Sequence, residues 1–337
     1  MHGEDSGLSQ RTRFCVEVKS LMDVIIVCHS EFGFVQGRRL IFDKKATKGV
    51  SEGVHNLVRL CERYGAKITF AVCPEVADYF PKELDHEIGL HVHPGWEKFQ
   101  AKGYEWYVGD TYLRAHCRQS QTSSALAHYS YEEQLEMIQV GKEYIKQKLA
   151  REPKVFVAGR WSLTINTIKA LVQTGFTHDC SAVPGFKIND TDWSKLPRIC
   201  LPYHPNEHAY EEKGDLPLVM VPVSQLLFGV SANPESARIC GFPWLRAGFS
   251  EYYGKRVPLF HIALHSPAMT DSYYLRIMDK LLSFIARDHD ISFRFASEIH
   301  EYPEREYRAG LKFYLLAWNL DIAKSGVRKL LGAFHRV

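Results

Sequence analysis

The sequence contains no run of about 20 apolar residues, the length that a helix needs to cross a bilayer. Residues 1–20 lack the apolar core of a secretory signal peptide. An excess of charge of one sign is also missing: 42 Lys and Arg stand against 39 Asp and Glu, whereas proteins that bind duplex nucleic acid are clearly basic. These absences predict a cytoplasmic protein that does not bind nucleic acid.

Cysteine pairs at metal-binding or redox spacing are absent as well. The eight cysteines lie far apart, and no two of them form a C-x-x-C motif. Several stand inside apolar runs, where a thiol behaves as a small hydrophobic side chain. We therefore expect reduced cysteines in the core, without a disulfide scaffold or a structural zinc site.

Short apolar runs alternate with amphipathic stretches along the chain, and no internal repeat is visible. The pattern predicts strands at 24–28, 67–73, 86–91, 154–158, 176–181, 218–223, 258–265 and 291–296, and helices at 51–63, 131–150, 166–173 and 273–287. Strands that alternate with helices pair in parallel through right-handed crossovers. About seven such units favour an α/β fold of the (β/α) barrel type over an open sheet.

Two long segments, 96–130 and 184–217, interrupt this alternation. Loops of this length inside a compact domain are usually functional or disordered, and aromatic residues argue against disorder. The first segment carries Trp96, Tyr104, Trp106, Tyr107 and Tyr112. These aromatic side chains form walls on which a sugar ring stacks, or they pack over the barrel mouth; the sequence leaves both interpretations open.

Polar residues collect at the predicted carboxyl ends of the strands, where parallel α/β proteins bind their ligands. They are His29, Ser30, Glu31, His91, His93, Arg160, Asp179, Ser181 and His265. His91 and His93 point to the same side of an extended segment and can bind one divalent ion. A third donor is needed, and Glu31 is the candidate. His204 and His208 form a rival pair, but Pro205 makes helical presentation of that pair doubtful.

Five segments, in this order, resemble the motifs of the polysaccharide deacetylases of the NodB-homology type (carbohydrate esterase family 4-like), particularly the branch found with lipopolysaccharide and O-antigen biosynthesis. The segments are VIIVCHSEFGF (24–34), HEIGLHVHPGW (86–96), AGRWSLTINTIKALVQTGFTHDCS (158–181), DTDWSKLP (190–197) and FHIALHSPAMT (260–270). The resemblance implies a distorted (β/α)7 barrel with long βα loops over residues 23–302, after an N-terminal extension of residues 1–22.

The resemblance also implies an activity and a role for each site residue. Members remove acetyl groups from N-acetylated sugars with zinc or a similar divalent ion. In this chain the segments with Glu31 and His91 correspond to the metal-binding motifs, with His93 as the third ligand that the H-x-H spacing offers, and His265 corresponds to the general acid. His29 corresponds to the base, while Arg160 and Asp179 correspond to residues that hold charges and tautomers in place.

The chain departs from the family pattern at three positions. His29 stands where most members have an aspartate, Gly95 stands where the second metal histidine is common, and Val157 stands where many have an arginine. His29 is therefore either a base or a ligand. Two alternatives to a deacetylase stay open: a catalytically silent sugar-binding protein of this fold, and an amidohydrolase-type zinc barrel, in which an H-x-H pair normally lies on the first strand.

Residues 303–337 form a basic amphipathic tail, in which seven Lys and Arg stand against three Asp and Glu after position 303. Such a tail is either an interfacial helix at a membrane surface or a helix that docks on the barrel.

Overall fold

The structure, a computed structural model, describes residues 21–43, 46–101, 104–188, 191–287 and 289–319. Its central sheet contains eight strands: β1 (Met22–Ser30), β2 (Thr69–Val72), β3 (Glu87–Val92), β4 (Val155–Ala158), β5 (His178–Asp179), β6 (Val219–Met220), β7 (Leu259–His265) and β8 (Ile291–Arg294). All eight predicted strands are confirmed, most of them in shorter form.

The strands pair only in parallel, in the order β6-β5-β4-β3-β2-β1-β7, and β8 pairs with the first residues of β1. Within the described ranges no strand ladder joins β6 to β7, so the barrel is open on that side. This architecture confirms the predicted distorted (β/α)7 barrel.

Seven helices surround the sheet in the described ranges: α1 (Lys48–Ser51), α2 (Gly53–Glu62), α3 (Thr111–His116), α4 (Tyr131–Leu149), α5 (Ile165–Gln173), α6 (Ala237–Gly254) and α7 (Ser272–Arg287). The long helix α4 begins where Ser130 and Glu133 form a capping box. None of the helices in the described residues is long and apolar enough to cross a membrane.

Alternation along β1 explains how the barrel interior leads to the site. Ile25 and Val27 face the small core inside the barrel, whereas Val24 and Ile26 face the larger core under the helices. Because side chains on a strand alternate between its two faces, the next residue on the inner side is His29. The same alternation that places Ile25 and Val27 inside the barrel therefore places the His29 imidazole on the inner side at the carboxyl end of the sheet.

The first long segment contains a hairpin, Glu97–Ala101 with Tyr104–Val108, followed by α3. The ring of Tyr112 stacks on Tyr144 of α4 with 3.6 Å between centroids, so this aromatic residue packs on the barrel. The side chains of Tyr104, Trp106 and Tyr107 lie outside the described ones. In the second segment the buried Trp193 donates a hydrogen bond from its indole N–H to the Trp161 carbonyl oxygen (3.1 Å).

The described part of the C-terminal tail docks on α6. Glu251 of α6 is fully buried and accepts hydrogen bonds from Arg198, from the Gly310 N–H (2.7 Å) and from the Tyr314 hydroxyl (3.0 Å). Tyr314 is also fully buried. Residues 303–319 are therefore fixed to the barrel by a charged anchor. Residues 320–337, and residues 1–20 of the predicted extension 1–22, lie outside the described residues.

The seven cysteines in the described ranges are free, and five of them are buried. Cys15 lies outside these ranges.

Candidate active site

Strand register brings the histidines of separate strands together at the carboxyl end of the barrel. His29 pairs in register with His265 of β7, and His91 of β3 pairs with Val157 of β4. The ring centroid of His29 lies 4.7 Å from that of His91 and 4.8 Å from that of His265. Five predicted site residues, namely His29, Glu31, His91, His93 and His265, therefore form one cluster.

The Glu31 carboxylate and the His91 ring face each other in an arrangement that a bound cation would stabilise. The Nδ1–H of His91 donates to the Val157 carbonyl oxygen (2.9 Å), which leaves the lone pair of Nε2 directed at Glu31 Oε1, 3.0 Å away. Two lone pairs at this distance repel unless a proton or a metal ion lies between them. A histidine whose second nitrogen donates to a carbonyl is also the usual form of a metal ligand.

His93 completes a set of three donors with Glu31 and His91. Its Nε2 lies 3.7 Å from the same Glu31 oxygen, and the donor atoms of the three residues all lie within 4.8 Å of one another. A zinc ion bound at about 2.0–2.2 Å holds its donors roughly 3–4 Å apart, so these residues fit such an ion.

Gly159, directly after β4, makes room for the His93 ring. A Cβ atom at this position would lie 2.3 Å from His93 Nδ1, far inside van der Waals contact. Sequence reasoning missed this residue, because a glycine at a strand end gives no sign of which side chain packs against it.

Burial, reinforced by neighbouring imidazoles, favours the neutral forms of His29 and His91. Burial, then the neighbouring His91 and His265, hold the pKa of His29 well below its usual range. Burial also lowers the pKa of His91, against the opposing effect of Glu31. For Glu31, burial alone would raise the pKa, but His93 and His91 outweigh it and hold the pKa well below its usual range. A carboxylate among neutral imidazoles is a donor set for a divalent cation.

His265 is held by a carboxylate that the sequence did not reveal. Glu235 Oε1 accepts hydrogen bonds from the backbone N–H of His265 (2.8 Å) and from its Nδ1–H (3.2 Å). Burial would lower the pKa of His265, but Glu235 and then Glu31 outweigh it and raise the pKa. In the sequence, Glu235 is marked only by the turn that contains it. In this turn the Asn233 side chain accepts a hydrogen bond from the Ser236 N–H (2.6 Å).

Arg160 lines the mouth of the site and ties the first long segment to β4. Its guanidinium donates to Glu97 Oε2 (2.9 Å) and to the Ser124 hydroxyl (3.2 Å). Both Arg160 and Trp161 adopt left-handed backbone conformations, and the edge of the Trp161 ring contacts the His29 ring at 4.8 Å. Arg160 thus fixes the loop that carries a wall of the site.

Asp179 lies outside the cluster, and its carboxylate accepts two hydrogen bonds from Ser181. Its two oxygens accept from the Ser181 N–H (2.9 Å) and hydroxyl (2.7 Å), and the Ser181 oxygen accepts from the Ala158 N–H (2.7 Å). Burial raises the pKa of Asp179 to about 7. Among the described residues its hydrogen bonds therefore reach the backbone of β4 and not the histidine cluster.

The rival histidine pair lies elsewhere. His204 donates from Nδ1 to the Leu216 carbonyl oxygen (2.8 Å), and the exposed His208 contacts Glu207. Neither belongs to a cluster of three metal-binding side chains in the described part of the chain.

The cluster opens into a cavity of about 440 Å³. It is lined by polar side chains (His29, His91, His93, His265 and Arg160) and by apolar ones (Leu40, Phe42, Val108 and Trp161). Metal-binding side chains beside apolar ones suit a substrate that presents a polar group on a ring or short apolar body.

Comparison with known proteins gives a likeness in structure alone. No protein-family model matches the sequence, and no curated protein matches it significantly. A putative polysaccharide deacetylase from Mycobacterium smegmatis is 13% identical with a TM-score of 0.54, over 86% of this chain and 96% of that one.

Two further structures are similar to the same degree. A probable polysaccharide deacetylase from Pseudomonas aeruginosa PAO1 is 13% identical with a TM-score of 0.54, over 83% of this chain and 90% of that one. The Puue allantoinase is 14% identical with a TM-score of 0.54, over 84% of this chain and 90% of that one. This chain therefore has the fold of the polysaccharide deacetylase-like barrels.

Proposed function

We propose that the protein is a metal-dependent hydrolase that removes the acetyl group from an N-acetylated sugar. The observation that carries the proposal is the buried pair of Glu31 Oε1 and His91 Nε2, 3.0 Å apart, with the other His91 nitrogen already donating to a carbonyl. Two of the similar structures are named as polysaccharide deacetylases, and this resemblance in fold supports the same class of reaction.

Glu31, His91 and His93 would hold the divalent ion, and their nitrogen and oxygen donors suit zinc. When bound, such an ion polarises the amide carbonyl and lowers the pKa of a bound water toward neutrality. The remaining steps depend on the protein's own side chains.

His29 is suited to take the proton of the attacking water. Its pKa lies well below the usual range because of burial and the neighbouring imidazoles, so the ring is a free base at neutral pH. Its Nε2 is buried and has no hydrogen-bond partner among the described residues. The second role that the sequence allows for His29 is that of a metal ligand.

His265 is suited to protonate the departing amine. Glu235 accepts from its Nδ1–H and raises its pKa, which favours the protonated ring that a general acid needs. The water oxygen bonds to the acetyl carbon, the carbon–nitrogen bond breaks, and the amine leaves with the proton from His265. Without that proton the tetrahedral intermediate would expel the water oxygen again.

The finer description of the substrate comes from the motif resemblance. We place the reaction in the biosynthesis of a polysaccharide or lipopolysaccharide, in the cytoplasm, with the sugar ring against Leu40, Phe42 and Trp161. Arg160 and Asp179 keep supporting roles: Arg160 ties the turn after β4 to Glu97, and Asp179 acts through Ser181 on the backbone of Ala158 in β4.

The catalytically silent sugar-binding protein is the second candidate, and His29 at the position of the usual aspartate favours it. The amidohydrolase-type barrel does not fit, because the H-x-H pair lies on β3 and not on the first strand.

A peripheral membrane contact belongs to the same proposal. The side chains of Leu311, Leu315, Leu316 and Trp318 are exposed, and exposed Arg305, Arg308 and Lys312 lie beside them in the chain. Apolar side chains among basic ones match an anionic bilayer surface, where lipid-linked sugars are held.

The direct test measures bound metal and acetate release on one preparation. Zinc-loaded protein is assayed with N-acetylated nucleotide sugars, lipid-linked N-acetylated sugars and, because one similar structure is an allantoinase, allantoin. Stoichiometric metal with acetate release supports the proposal. Bound sugar without acetate release would favour the catalytically silent protein. A product formed from allantoin alone would show that the substrate is not an N-acetylated sugar.

A further inference from the structure

Glu31 belongs to two metal-binding sets that share no other residue. The first is Glu31 with His91 and His93, and the second is Glu31 with His29 and His265. In each set the donor atoms all lie within 4.8 Å of one another. In both sets the imidazole contacts are with the same Glu31 oxygen, Oε1, so this carboxylate would lie between the two ions.

The first set does not include His29. This residue is 2% exposed, and its Nε2 has no hydrogen-bond partner among the described residues. A buried polar atom without a partner is costly, so an ion that accepts this lone pair would remove the cost. The ring lies beside His265, with 4.8 Å between centroids.

His265 is oriented as a metal ligand as well as an acid. Its Nδ1–H donates to Glu235, and its Nε2 faces Glu31 Oε1 at 4.0 Å. A carboxylate that holds the second nitrogen of a histidine is the usual support of a zinc-bound imidazole. Paired metal sites lie about 3.5–4 Å apart, a spacing that a shared carboxylate allows.

We infer that His29, Glu31 and His265 bind a second divalent cation, more weakly than the first, and that this ion inhibits the enzyme. The second ion binds more weakly because the first ion repels it across a shared carboxylate, and because the His265 side chain is 24% exposed whereas that of His91 is 1% exposed. The inhibition rests on the proposed function, because the second ion occupies the base and the acid.

The test titrates metal-free full-length protein with Zn²⁺ by equilibrium dialysis and elemental analysis. We expect two ions per chain, with dissociation constants at least about tenfold apart, and acetate release that falls as the second ion binds. His29→Ala and His265→Ala should lose the weaker ion and keep the tighter one. His91→Ala should lose the tighter ion. The matched control is His208→Ala, whose exposed ring should leave both ions bound.

Glu235→Gln provides a milder variant if removal of His265 prevents folding. It should weaken the second ion by about 10- to 100-fold and leave the first unchanged. One ion per wild-type chain, or two ions in both His29→Ala and His265→Ala, would overturn the inference. One ion with acetate release would leave the proposed function standing, whereas no ion and no release would end both.

Discussion

Glu235 Oε1 accepts two hydrogen bonds from His265, one from the backbone N–H and one from Nδ1–H. The carboxylate therefore sets the position and the charge of the imidazole together. This contact spans 30 positions of the chain, from the turn before α6 to the end of β7.

Glu235→Gln should lower kcat and move the alkaline limit of activity to lower pH. The general acid works only while protonated, so activity is lost as pH rises through the pKa of His265. Glu235 raises that pKa, and its neutralisation must lower it. The measurement is a pH profile of acetate release, with Glu207→Gln, in an exposed Glu–His pair, as the control. An unshifted alkaline limit would remove Glu235 from this role.

His265→Ala and His91→Ala should separate proton transfer from metal binding. Loss of the general acid should cost about 10²–10⁴-fold in turnover while the tightly bound ion stays. Loss of His91 should remove that ion, since only Glu31 and His93 remain of its set. Turnover and metal content are measured on the same samples. Wild-type turnover in His265→Ala would exclude this histidine as the acid.

Gly159→Ala should reduce metal affinity by displacing His93. The new methyl group would lie 2.3 Å from His93 Nδ1, so the ring must leave its position beside Glu31 and His91. A rise of at least about tenfold in the dissociation constant for Zn²⁺ is expected, in line with other changes that disturb the support of a ligand. A thermal melt shows whether the barrel is intact. Unchanged affinity in a folded variant would mean that His93 is not a ligand.

Leu315→Asp with Leu316→Asp should reduce binding to anionic vesicles. Both side chains are largely exposed, so the change should leave the melting temperature and acetate release from soluble substrates unaltered. Co-sedimentation with vesicles of mixed neutral and anionic lipid measures the effect, and neutral vesicles serve as the control. Equal sedimentation of variant and wild type would end the proposed membrane contact.

The sequence predicts the barrel well because its strands are apolar runs whose alternation is visible without a structure. It also identifies His29, Glu31, His91, His93 and His265, since parallel strands bring their carboxyl ends to one edge. Helix α6 is not predicted, because Gly241 and Pro243 interrupt it and apolar residues occur on all its sides. Glu235 and Gly159 are missed for a different reason: their partners, His265 and His93, are close only in the folded chain.

Asp179→Asn should reveal whether Asp179 carries charge in the folded protein. Burial raises its pKa from an ordinary 3.8 to about 7. A carboxyl that binds its proton more tightly in the folded chain stabilises the fold at low pH, and this contribution is lost as pH rises from about 4 through about 7. The full shift corresponds to at most about 4 kcal/mol.

The variant stays neutral at every pH, so its free energy of unfolding should lack this loss between pH 5 and pH 8. Denaturant unfolding at both pH values measures the difference, with exposed Asp290→Asn as the control. Equal pH dependence in Asp179→Asn and wild type would mean that Asp179 is ionised in the native protein. A charged Asp179 would then favour the role implied by the motif resemblance, in which its carboxylate acts on the site. A neutral Asp179, which its burial indicates, serves only to hold Ser181 in place.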